Sequence, residues 1–359
     1  MKAKKKHKRW WIITLSVVIG LVLLYGVGGL IASAAACHAI FGKRASSLSD
    51  LDHFPSFYAK RADIASLEKR EDVSFLSEEN TLTGHLYRTD TPKGLVLAAH
   101  GMSSQSDGED AEYQAWFLEE GYDVLAIDLT ASGASEGKES KGLWQSAYDV
   151  AAAYQYVQTQ DDLAALPLTL VGHSWGGYGV LTSLSLGVQA EYVVSFAAFD
   201  MPRTLMKYDM GRYTNSFLEA IGSPMFDCYM DWMAPNGGKL SASEAISSSK
   251  AKVFCVQGGK DVAVPPDSLS VYGNKDRITN PNFTTYFSPN AGHHGVWRSD
   301  ASRHYVETVV DPAYQAYQAK HPDGGSKEEQ AAFRSRIDLT RSSELDASLF
   351  AALHEFLSN

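Results

Sequence analysis

Six short apolar runs recur along the chain: Leu95–Ala99, Val124–Ile127, Leu168–Val171, Tyr192–Phe196, Val253–Val256 and Phe283–Phe287. Most are apolar without alternation, the pattern of a strand covered on both faces. Helical stretches separate them, at Glu109–Glu119, Trp144–Thr159, Trp175–Leu186 and Pro266–Tyr272. This alternation predicts an α/β domain built on a mostly parallel sheet flanked by helices. Val73–Leu76 and Thr81–Tyr87, joined by Glu78-Glu79-Asn80, read as an antiparallel pair that brings the sheet to eight strands. The rhythm breaks at about 201–250, a stretch rich in Met and aromatic residues whose helices could form a cap with its inner face lining a pocket. Such residues at helical spacing serve a core or line a pocket. The chain ends in a helix with Leu345, Leu349, Leu353, Phe356 and Leu357 on one face, and Ser343 with Asp346 reads as its capping box.

The N-terminus has a different character. Lys2, Lys4, Lys5, Lys6, Lys8 and Arg9 give residues 1–9 a charge of +6, so the rest of the chain sums to −16 against a total of −10. An acidic body argues against nucleic acid as a partner, since phosphate binding needs clustered Lys and Arg. The basic tail instead precedes residues 10–36, which carry no charge, and Trp10–Ile31 supplies 22 residues where a membrane span needs roughly 20. Basic flanks stay in the cytoplasm. The reading is a single-pass signal-anchor at the cell membrane, a tether over 37–70 with a helix around Ser56–Lys69, and an extracytoplasmic domain over 71–359. A signal cleaved near Ala34-Ala35-Ala36, or a lipid on Cys37, would leave the domain on the same side. A body of this size can build a core without disulfides. Cys255 therefore reads as a buried thiol, with a Cys228–Cys255 bridge as the alternative. No Cys/His spacing of the metal-binding kind occurs.

Two G-x-S-x-G matches are present, and position separates them. Gly172-His173-Ser174-Trp175-Gly176 directly follows the strand Leu168–Val171 and opens a helix, the sharp turn that lifts a serine hydroxyl above a sheet. Gly133-Ala134-Ser135-Glu136-Gly137 trails its strand and runs into polar residues, so Ser135 reads as a loop serine. A serine hydroxyl needs a base, and the base needs an acid to fix its tautomer. Asp261 follows the strand Val253–Val256, and His293 follows Phe283–Phe287, which puts both at the carboxyl ends of strands where open sheets hold ligands. Ser174, Asp261 and His293 thus stand in chain order at successive strand ends. The backbone N–H of Trp175, and that of Met102 after the strand Leu95–Ala99, read as the two donors to a developing oxyanion.

His100-Gly101, Asp128 with the Ser/Gly loop 132–137, Gly172-His173-Ser174-Trp175-Gly176-Gly177, Gly259-Lys260-Asp261 and Gly292-His293 together resemble the α/β-hydrolase superfamily. The resemblance spans about 70–357, and within it the chain is similar to bacterial membrane-anchored serine hydrolases of the esterase/lipase and serine-aminopeptidase-like group. It implies Ser174 as nucleophile, Asp261 as acid, His293 as base, and the cap. His294 is the alternative base and Asp200 the alternative acid. The loop after Asp128 reads Leu-Thr-Ala-Ser-Gly-Ala-Ser where relatives carry Arg-Gly-His-Gly, which bears on cap and substrate contacts.

The expectation is acyl transfer on a small-molecule acyl substrate, a carboxylic ester first, without metal or organic cofactor. Peptidase and acyltransferase chemistry use the same residues. A non-catalytic binding module of this fold is the alternative of a different class.

Overall fold

The computed structural model describes residues 2–44, 70–102, 104, 106, 111–212, 214 and 216–359. In chain order the elements are α1 (Lys2–Phe41), β1 (Arg70–Ser77), β2 (Asn80–Tyr87), β3 (Leu95–Ala99), α2 (Ala111–Glu119), β4 (Asp123–Ile127), α3 (Gln145–Gln158) and the single turn α4 (Asp161–Ala164). Then come β5 (Leu168–His173), α5 (Ser174–Thr182), β6 (Tyr192–Phe196), α6 (Pro202–Arg212), α7 (Ser216–Met233), α8 (Ala242–Ser248), β7 (Lys252–Gly258) and β8 (Phe283–Ser288). The chain closes with α9 (Asp300–Tyr305), a π-helical turn over Val306–Val310, α10 (Asp311–Lys320), α11 (Lys327–Arg334), α12 (Leu339–Ser342) and α13 (Ala347–Ser358).

Eight strands form one sheet in the order β1-β2-β4-β3-β5-β6-β7-β8. The sheet is mixed: β2 pairs antiparallel with β1 and with β4, and every pairing from β4 across to β8 is parallel. The period of two sorts the strands' side chains onto two cores. Leu95, Leu97, Leu125, Ile127, Leu170 and Val253 face α3, α5 and α8. Val96, Ala98, Val124, Ala126, Val171 and Val194 face α2 and α13. Two buried faces explain why the central strands carry unbroken apolar sequence. The crossovers diverge on either side of β3 and β5, so the carboxyl ends of those strands open a crevice.

Several local expectations change. Residues 37–41 continue α1 before Gly42, whose N–H donates to the His38 carbonyl. The helix expected around Ser56–Lys69 lies outside the described residues. Pro266–Tyr272 is not helical. The Asp267 carboxylate accepts from the Leu269 N–H and Ser270 bridges to Phe199, leaving a 3₁₀ turn over Tyr272–Arg277. Local capping by Asp outcompetes the helix here. Asp346 alone caps α13, accepting from Ser348 and Leu349 N–H, while the Ser343 hydroxyl donates to Leu339. Cys228 is exposed on α7 and Cys255 is buried in β7, both as free thiols, so the alternative bridge is not formed. Burial pushes the Cys255 thiol far up, which leaves it inert.

The turn from β5 into α5 is the tightest approach in the sheet. A Cβ on Gly176 would sit 2.1 Å from the Ala99 carbonyl oxygen of β3, and one on Gly172 would sit 2.5 Å from the Gly176 carbonyl. Gly176→Ala therefore meets backbone, which cannot step aside, and should lower stability by about 3 kcal/mol in urea denaturation of the detergent-solubilised chain. Gly222→Ala, in the open middle of α7 with nothing within 4 Å, should raise it by about 0.5–1 kcal/mol.

Candidate active site

Ser174 is the first residue of α5 and has φ of 51°, a left-handed conformation unusual for a residue with a side chain. The cost, of order 1–3 kcal/mol, is borne because β5, α5 and the glycines around them fix the turn. The same turn holds the hydroxyl above the carboxyl edge of the sheet. Ser174 Oγ lies 2.8 Å from Nε2 of His293, in the loop after β8. The other ring nitrogen, Nδ1, lies 2.8 Å from Oδ2 of Asp261, in the loop after β7.

That pair of contacts determines the tautomer by inference from the partners. A carboxylate only accepts, so His293 Nδ1–H donates to Asp261 and Nε2 is left to accept from the Ser174 hydroxyl. Asp261 is held in turn. Its Oδ1 accepts from the Ala263 and Val264 N–H groups, at 2.9 and 2.7 Å, and the Gln257 side-chain amide donates to Oδ2 at 3.3 Å. Burial pulls the His293 imidazole below its ordinary value, and the neighbouring His173 and His294 act in the same direction. The hydrogen bond that His293 donates to Asp261 opposes them without winning.

His294 lies on the cavity wall, and the imidazole between Ser174 and Asp261 is His293. The Asp200 carboxylate is used elsewhere. It accepts from the Ser241 hydroxyl and the Ser243 N–H, closing the start of α8. Met102 and Trp175 both line the cavity beside Ser174. Each is fixed from behind. The Leu129 N–H donates to His100 Nε2, so Nδ1–H donates to the Gly101 carbonyl and sets the loop that carries Met102. Trp175 donates from its indole to the Leu143 carbonyl and accepts from the Ser146 hydroxyl at its own carbonyl.

Two contributors escape sequence reasoning. His173, the variable residue of the elbow, points Nε2–H at the His293 carbonyl, 3.1 Å away, and packs against Trp297. Ile40 and Phe41, at the end of α1, line the cavity of about 420 Å³ together with Leu205 and Met206 of α6. The position of His173 in the motif was a signal for the first; nothing in the periodicity of α1 announces the second.

A family model described as serine aminopeptidase, S33, matches residues 90–223, which run from before β3 through the elbow into α7. Over that segment the chain resembles the serine aminopeptidase-like group of α/β-hydrolases. Similar proteins include dipeptidyl aminopeptidase BIII of Pseudoxanthomonas mexicana, 25% identical over 248 residues that make 64% of this chain and 34% of that one. A second is the quorum-quenching protein AidA of Acinetobacter baumannii, 26% identical over 132 residues, 36% of this chain and 43% of that one. A multifunctional-autoprocessing repeats-in-toxin protein of Vibrio cholerae is 26% identical over 153 residues, 39% of this chain. The chain thus spans between 3% and 43% of the length of these curated relatives. Among solved structures, an esterase of Pyrococcus furiosus is 19% identical, with 75% of this chain and 91% of that one covered at a TM-score of 0.49.

The second G-x-S-x-G match has a structural task. The Ser135 hydroxyl donates to the Asp128 carbonyl at 2.5 Å and accepts from the Thr83 N–H at 2.8 Å. Asp128 is buried, which by itself would raise its carboxyl. His85, His100 and the Ser106 and Ala134 N–H groups outweigh that and hold it near about 2. Ser135→Ala leaves two buried backbone groups short of partners and should cost about 1–3 kcal/mol in a thermal melt, with the Ser174–His293–Asp261 geometry intact.

Proposed function

We propose that this α/β-hydrolase is an extracytoplasmic serine hydrolase that cleaves a carboxylic ester through an acyl-enzyme on Ser174. The observation that carries the reading is the single imidazole of His293, within 2.8 Å of both the Ser174 hydroxyl and the Asp261 carboxylate. His293 takes the hydroxyl proton as Ser174 attacks the carbonyl carbon, and Asp261 stabilises the imidazolium that forms. The N–H groups of Met102 and Trp175 receive the oxyanion. His293 then passes its proton to the leaving alkoxide, the C–O bond breaks, and Ser174 keeps the acyl group as an ester. Water activated by the same imidazole releases the acid and restores the serine.

The charge-free run from residue 10 to 36, behind a basic tail, supports a membrane anchor with the domain outside. The helices over about 201–250 act as the cap, supplying apolar wall to the cavity through Leu205 and Met206. That wall favours an apolar acyl group. A peptide amide is the second reading. The serine aminopeptidase family model and the dipeptidyl aminopeptidase relative support it, as does Asp209, an acidic side chain on the cavity wall placed to meet an amino terminus.

A panel of p-nitrophenyl esters and aminoacyl amides tests both. Ester turnover should show a burst of nitrophenol equal to the enzyme, and Ser174→Ala should lower kcat by at least about 10³-fold with the fold unchanged by circular dichroism. The pH profile carries the sign of the His293 shift. The base works only when neutral, and its pKa lies below the ordinary value of about 6.5. kcat/KM should therefore stay level from pH 8 down past 6.5 and fall below that. Ser174→Ala retaining parental turnover, or a profile flat to pH 4, would contradict the mechanism.

A further inference from the structure

α7 holds on to α1 at two places. The Tyr25 hydroxyl donates to the Ile221 carbonyl at 2.6 Å, and Met225 packs so closely on Gly29 that a Cβ there would lie 2.5 Å from its Cγ. Both α1 residues belong to the uncharged run of 10–36. At about 1.5 Å per residue, Tyr25 lies roughly 9 Å short of Ile31, the end of the apolar stretch. Where that stretch crosses a bilayer, the first turns of α7 stand at the depth of the leaflet next to the hydrolase domain.

The surface of α7 matches that depth. Phe217, Leu218 and Ile221 expose 70%, 54% and 41% of their area, side by side with the exposed apolar surface of α1 itself. Large apolar groups exposed on a helix packed alongside a membrane span mark a face that meets lipid. The other side of this assembly reaches the nucleophile. α6 packs on α7 and places Leu205 and Met206 in the cavity, and the last residues of α1 place Ile40 and Phe41 there. The end of α1 is pinned at that point. The Ser140 N–H donates to the Phe41 carbonyl at 3.0 Å, and the Arg44 guanidinium donates to the carbonyls of Ser132, Gly133, Ser135 and Gly137. The assembly of α1, α6 and α7 therefore carries apolar residues at both ends, on the exposed face at leaflet depth and on the wall of the serine's cavity.

We infer that the substrate is a membrane-resident ester of a long-chain acyl group, which leaves the leaflet beside α1 and α7 and presents its carbonyl to Ser174. The inference rests on the serine-hydrolase reading above and adds the substrate's class and its route. A short soluble ester uses the same serine but needs none of the exposed face of α7.

The test uses the full chain reconstituted in vesicles of phosphatidylethanolamine and phosphatidylglycerol. Cleavage of 4-methylumbelliferyl oleate held in the vesicles is compared with that of the acetate in solution. Phe217→Glu with Ile221→Glu should lower oleate turnover roughly tenfold or more, because two apolar contacts with lipid are replaced by charges. Acetate turnover should stay within about twofold, which also reports that the variant is folded. Equal oleate turnover in parent and variant overturns the inference, as does a parent that cleaves acetate but not oleate. Acetate cleavage that persists in Ser174→Ala overturns the serine-hydrolase reading itself, and the inference with it.

Discussion

The site depends on how close α5 comes to β3. Gly172 and Gly176 allow backbone to touch backbone where any side chain would collide, and that approach forces Ser174 into its left-handed conformation. The strain is local and the support is broad, since β5 pairs with β3 on one side and β6 on the other. A serine on a loop would wander; here the sheet sets the Ser174 hydroxyl relative to three further strand ends. The loop after β3 brings Met102, the loop after β7 brings Asp261, and the loop after β8 brings His293. Parallel strands make this convergence possible, because all four carboxyl ends lie on one edge.

Around that frame the polar groups are chained so that each has one orientation. Two backbone N–H groups and Gln257 hold Asp261, Asp261 holds the imidazole, and the imidazole holds the hydroxyl. His173 fixes the same imidazole from its backbone side. Burial lowers the His293 pKa, which favours the neutral imidazole that the proposed base needs.

What the sequence shows plainly follows from burial. Strands covered on both faces must be apolar throughout, so β3 through β7 stand out, and the serine and aspartate at their ends can be placed in order, with the histidine after β8. The region 300–346 does not stand out in the same way. Its helices share only a small satellite core of Tyr305, Val306, Val310, Phe333 and Ile337, too sparse to impose a period. Pro266–Tyr272 misleads because the Asp267 carboxylate captures the backbone locally. Ile40 and Phe41 share a cavity with Ser174 from more than 130 residues away in the chain, and no local pattern encodes it. The residues after the apolar run read as a tether, whereas Ile40 and Phe41 at the end of α1 wall the cavity.

Ser174, and no other serine, is proposed as the activated nucleophile. Reaction of the folded chain with a fluorophosphonate, followed by peptide mapping in a mass spectrometer, tests it directly, because the reagent needs an activated serine and no knowledge of substrate. One adduct is expected, on the peptide carrying Gly172-His173-Ser174-Trp175-Gly176, formed at neutral pH and suppressed as His293 is protonated. An adduct on Ser135, or none on a chain shown to be folded, would contradict it.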